Sequence, residues 1–125
     1  MAAGNELGKI GEQAARDYLV AHGYALYTID DRTGGAEVDI IAFKGDTVAF
    51  VEVKTRSRSM IDPMEVVTPQ QQRRICRAAD SFLRRNGIRH EARFDIITVA
   101  ITGPEASPVI THYKDAFRPR LTSVR

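Results

Sequence analysis

The chain has 125 residues, 43% hydrophobic and 27% charged, with a formal net charge of +2, a balance that fits one soluble globular domain burying roughly two thirds of its unfolded surface. No apolar run approaches the ~20 residues of a membrane helix. The start, Met1-Ala2-Ala3-Gly4-Asn5-Glu6, lacks the basic and then hydrophobic segments of a secretory signal, so a cytoplasmic protein without membrane contact is expected.

The elements are read in chain order. Leu7, Ile10, Ala14, Tyr18 and Ala21 recur at helical spacing over residues 6 to 22, and Gly23 follows as a stop. Strand patterns run from Tyr24 to Ile29, from Glu37 to Phe43 and from Thr47 to Lys54, the last two joined by Lys44-Gly45-Asp46 as a hairpin. Residues 57 to 67 read as a loop. Thr68-Pro69 supplies an N-cap and a first-position proline for a helix ending near Asn86-Gly87, with Ile75, Ala78, Ala79 and Phe82 as its apolar stripe and the lone cysteine, Cys76, packed on it. Phe94 to Ile101 and Pro108 to Tyr113 read as two further strands. The order αβββαββ implies an α/β fold with a mixed sheet and helices on its faces. One domain over residues 1–117 is expected, followed by a mobile basic tail at 118–125.

Charge is unevenly placed. Residues 54 to 93 hold ten Lys or Arg against four acids. Such a segment can neutralise phosphates, with Arg56, Arg73, Arg74 and Arg77 as candidates, although a charge-dense helix is also an ordinary solvated face.

On the third strand Glu52 and Lys54 project to one side with Phe50, and Val51 and Val53 to the other. Taken alone the pair reads as a surface salt bridge. Asp39 changes that reading. It shares a face with Ile41 and Phe43 in an apolar strand, where an uncompensated carboxylate is costly. If the hairpin pairs the two strands, Asp39 approaches Glu52, and paired carboxylates suit a hard divalent cation such as Mg²⁺ or Mn²⁺. Lys54 would then orient an attacking water or offset charge on a phosphate. Asp95, an acid in another apolar strand, either faces the same pocket or pairs with Arg93 or another arginine, and pairing is the preferred reading. His22, His90 and His112 lack ligand spacing.

Asp39 followed by Glu52-x-Lys54 on adjacent strands after a helix resembles the PD-(D/E)xK nucleases, with their restriction-endonuclease-like αβββαβ core. More narrowly, Gly8-x-x-Gly11-Glu12-x-Ala14-Ala15, Glu37-Val38-Asp39-Ile40-Ile41-Ala42, Phe50-Val51-Glu52-Val53-Lys54-Thr55-Arg56, Val67-Thr68-Pro69 with Gln72-Arg73-Arg74, and Arg93-Phe94-Asp95 resemble the YraN-type family of predicted endonucleases. The resemblance implies that Glu12, Asp39 and Glu52 are acidic metal ligands, that Val53 lends its carbonyl, and that Lys54 serves the attacking water. It places Glu37 and Gln72 at the border of the pocket. Its departures are Asp30-Asp31-Arg32, Ala36 before Glu37, and Gln71 where a lysine is usual.

The expected function is Mg²⁺-dependent endonuclease cleavage of DNA, extending by likeness to resolvases to branched or recombining DNA. The alternative is a nucleic-acid-binding protein with weak or partner-dependent catalysis. A structural domain, with the three residues as a buried ion network, is a third reading. Cutting both strands at once would call for a homodimer.

Overall fold

The computed structural model describes residues 2–27 and 38–119, with side chains described from Glu6 onward. The end of the strand expected to reach Ile29, the start of the strand expected at Glu37, the Asp30-Asp31-Arg32 segment and most of the basic tail lie outside these residues.

Five strands form one mixed sheet: β1 (Ala25–Leu26), β2 (Ile40–Lys44), β3 (Thr47–Arg56), β4 (Glu91–Ala100) and β5 (Val109–Phe117), in that spatial order. Pairing is antiparallel throughout except between β3 and β4, which run parallel. Helix α1 (Ala2–Ala21) packs on one face, where Ala15 and Leu19 meet Ala42, Val51, Ile97 and Val99. Helix α3 (Pro69–Asn86) covers the other, where Ile75, Ala79 and Phe82 meet Phe50, Phe94 and Ile96. Each fully buried side chain of this size contributes roughly 1.5–3 kcal/mol, so the two clusters clamp β3 and β4 at the centre. The described residues thus form a five-stranded mixed sheet flanked by helices, consistent with an αβββαβ-type core.

Local chemistry accounts for the element ends. The Thr68 hydroxyl accepts the Gln71 amide at 3.2 Å, Pro69 follows at the first helical position, and Gly87 closes α3 in the left-handed region at φ 61°. Between β2 and β3 only Gly45 and Asp46 remain outside the ladder, whose last pair is Lys44 with Thr47, so the hairpin forms as the sequence implies.

Three expectations need correction. The segment 57–67, expected as loop, contains a short helix α2 (Pro63–Val66), opened by the Asp62 side chain accepting the Met64 amide. The buried stripe of α1 is displaced by one residue: Gly11, Ala15 and Leu19 face the sheet, while Ile10 is 54% exposed. The cause is close approach, since a Cβ on Gly11 would overlap the Thr55 hydroxyl. Finally, β5 continues past Tyr113 to Phe117. A register shift opposite Asp95 interrupts its alternation, with Asp115 at φ 56°, and Phe117 then stacks on Phe94.

Candidate functional site

The site forms just before the start of β2, where β3 continues beyond its pairing with that strand. Pairing between them runs from Lys44–Thr47 to Ile40–Val51, so the next position sets Asp39 opposite Glu52. Among the described residues, β3 beyond Val51 is bordered by β4 on one side and by no strand on the other. Asp39 fills the open edge: its Oδ2 accepts the Val53 amide at 2.9 Å. Because the N–H and C=O of one strand residue point to the same edge, the Val53 carbonyl is directed there too. A cleft of about 370 Å³ results, lined by Asp39, Glu52, Val53 and Lys54 with Lys9 and Glu12 of α1.

Glu52 is 4% exposed. Its Oε2 accepts the Gln71 amide at 2.8 Å and pairs with the Lys54 ammonium at 3.3 Å. Its Oε1 is buried and has no hydrogen-bond donor among the described residues. Burial first, and then the Asp39 charge, push the Glu52 carboxyl up to about 8, against the opposing pull of Lys54. Asp39 is also raised, chiefly by burial and further by the Glu12 charge, while the Val53 N–H offsets part of the rise. The cleft therefore holds two carboxyl groups short of compensating charge, which is the condition a hard cation relieves.

Of the remaining expected site residues, Glu12 lines the cleft but its carboxylate pairs with Arg16 at 3.1 Å. Consistent with that, no group of three His, Cys, Asp or Glu side chains gathers with metal-site geometry among the described residues. Glu37 lies outside them. Gln72 does not border the cleft; its amide donates to the Val67 carbonyl at 3.2 Å. The bordering amide is Gln71, one position earlier, because α3 docks with that residue toward Glu52. Arg56 is half-buried and donates to the Thr55 carbonyl. Arg73, Arg74 and Arg77 are exposed. Arg74, three residues on from Gln71, neighbours it on the helix surface, and Arg73 and Arg77, four residues apart, share the flank beyond it.

Asp95 takes no part in the cleft. It is fully buried on the α1 face, receives the Arg93 guanidinium through bonds of 2.8 and 2.9 Å, and accepts His112 Nε2 at 2.8 Å and the Asp115 amide at 3.0 Å. Tyr18 joins through His112 Nδ1, and Tyr24 accepts from Arg93. Burial alone would raise the Asp95 carboxyl, but the bonds from His112, Arg93 and Asp115 outweigh it and hold it below the ordinary range. Asp95→Asn keeps the shape and removes the charge that these donors need, so urea unfolding is expected to show a loss of about 2 kcal/mol. The cleft, which Asp95 does not line, should keep its geometry.

Comparison with known proteins adds lineage. The family model described as "Uncharacterised protein family UPF0102" matches residues 11–99, a span holding Glu12, Asp39, Glu52, Lys54 and the arginines of α3. A UPF0102 protein of Bacteroides fragilis is 45% identical over 122 residues, covering 97% of this chain and 99% of that one. One of Bacteroides thetaiotaomicron is 44% identical over the same shares. Another, from Alkaliphilus metalliredigens, is 45% identical over 76% of this chain and 85% of its own. By the span of that match and by these identities, the chain belongs to the UPF0102 family.

Proposed function

We propose that the protein is a Mg²⁺-dependent endonuclease that hydrolyses DNA phosphodiester bonds in the Asp39–Glu52–Lys54 cleft. The observation that carries this reading is Glu52 Oε1: a buried carboxylate oxygen without a donor among the described residues, close to a second carboxylate, Asp39, just before the neighbouring strand. Mg²⁺ binds through one or two carboxylates and keeps its waters, so Asp39, Glu52 and the Val53 carbonyl fit it without Glu12. A bound cation would supply a Lewis acid and a water of lowered pKa. The protein's own part is charge placement. Lys54 sets an ammonium at the cleft where negative charge develops on the phosphate, Gln71 fixes Glu52 Oε2, and the Val53 amide fixes Asp39.

The test is nicking of linear, flapped and four-way-junction DNA with Mg²⁺ or Mn²⁺. Cleavage that needs the cation supports the reading. No cleavage on any substrate favours the alternative, a nucleic-acid binder with weak or partner-dependent catalysis, to which the capture of Glu12 by Arg16 lends support.

Phosphate binding is assigned to the exposed arginines of α3. Changing Arg74 and Arg77 to Ala is expected to reduce the logarithmic salt dependence of DNA binding by roughly one unit for each phosphate no longer neutralised. Arg73→Ala, four residues from Arg77 on the same flank, is expected to act in the same direction. Slopes unchanged from wild type in all variants would move the DNA to another surface.

A further inference from the structure

Beside the cleft, on the same face of the sheet, lies a second groove of about 420 Å³ that the nuclease chemistry leaves unused. It is contiguous with Lys54 through the ladder. Lys54 pairs with Thr98, and Thr98 pairs with Thr111, so the three side chains form one row across β3, β4 and β5. Strands lie about 4.8 Å apart; the groove therefore begins one strand spacing from the backbone of Lys54 and extends to two. That is the reach from a phosphate to its own or the adjoining base.

The lining separates polar edges from apolar surface. Thr98, Thr111 and Tyr113 offer hydroxyls, and the Tyr113 ring and the Met60 thioether offer flat or soft apolar surface. Met60 is 81% exposed and Val109 61% exposed at the rim, in a chain whose other large apolar side chains are mostly buried. Two acids, Asp62 and Glu65, also border the groove. They repel phosphate but can accept from the exocyclic amino groups of bases. Positive charge stays at the margins, on Arg58 at the groove and on Lys54 and Arg56 along β3. A neutral ring inside the groove with its phosphates outside satisfies this distribution. The volume falls in the ~300–1,000 Å³ range of small-molecule sites, which accommodates a nucleotide.

Resting on the nuclease reading of the neighbouring cleft, we infer that this groove receives an unpaired base of the strand whose phosphate lies at Lys54, so that the substrate is single-stranded or locally unpaired nucleic acid. Base stacking on such surfaces is sequence-tolerant. The groove therefore selects for strand separation and not for sequence.

The experiment is equilibrium binding of the full chain, in chelator and low salt, to a fluorescent single strand and to the blunt duplex of the same sequence. Wild type is compared with Met60→Asp and Thr111→Asp, both exposed in the groove, and with Val20→Asp, an equal charge change at a 57% exposed site on α1. Wild type is expected to hold the single strand about tenfold tighter than the duplex. Met60→Asp and Thr111→Asp should each weaken the single strand about tenfold, while Val20→Asp changes it less than twofold and the duplex is affected alike by all three. Equal affinity of wild type for both DNAs, or equal losses in groove and control variants, overturns the proposal. The two readings fail separately. Single-strand binding through the groove without cleavage would overturn the nuclease assignment alone, and cation-dependent cleavage unaffected by groove variants would overturn the groove alone.

Discussion

Lys54→Ala is expected to lower the rate of DNA cleavage by about 10²–10³ while DNA affinity stays within a few fold. On the proposed reading Lys54 serves the step more than the binding of substrate. Its ammonium lies 3.3 Å from Glu52 Oε2 in a cleft with few other cations, and removing one preorganised group that meets developing charge typically costs that factor. On the same reading, binding rests on the more numerous exposed arginines of α3. Asp39→Asn should behave differently. The amide keeps the size of the side chain and loses a charged ligand, so its defect should shrink as Mg²⁺ or Mn²⁺ is raised, whereas that of Lys54→Ala should not. Single-turnover cleavage against cation concentration, beside binding of the same DNA, separates the two. Residual cleavage equal in both variants would place the chemistry elsewhere or in a contaminant.

The parts of this site that are legible in the sequence are those set by strand periodicity. Alternation puts Glu52 and Lys54 on one face, and the two-residue Gly45-Asp46 turn fixes a register in which Asp39 falls opposite Glu52. The role of Gln71 is not legible in the same way. A helix turns about 100° per residue, so whether residue 71 or 72 reaches the sheet depends on how α3 is rotated on its core. That rotation is settled by the packing of Ile75, Ala79 and Phe82. The same limit displaced the reading of α1, where Ile10 fits the apolar period but the close contact of Gly11 with Thr55 turns the helix. His112 gave no local signal. Its partner Asp95 is 17 residues away, and the bulge at Asp115 that completes the network interrupts the strand pattern. Asp95 itself pairs with Arg93, as its apolar strand setting and that neighbouring base imply.

The other large effect is a pH dependence of stability that originates at Glu52. In the unfolded chain this carboxyl titrates near its ordinary value of 4.5; in the fold it is pushed up to about 8. Below the first pH both states carry the proton, and above the second neither does, so the difference acts only between them. Within that window the folded protein binds more protons than the unfolded chain, and stability therefore falls as pH rises. At 1.36 kcal/mol per unit the full loss is on the order of 5 kcal/mol, which corresponds to roughly 20 °C in Tm for a chain of this size. Asp39, also raised, acts in the same direction, while Asp95, lowered, matters only at more acid pH, where its contribution is lost as pH falls. A cation that requires the ionised pair competes with the Glu52 proton. Added Mg²⁺ should consequently stabilise little at pH 5 and progressively more toward pH 8, flattening the profile. Glu52→Gln, neutral at every pH and of the same size, should remove both the decline in Tm measured in chelator and the pH-dependent gain with Mg²⁺. A decline of the same size in Glu52→Gln would assign the titration to other groups and leave the cleft without its proton–cation exchange.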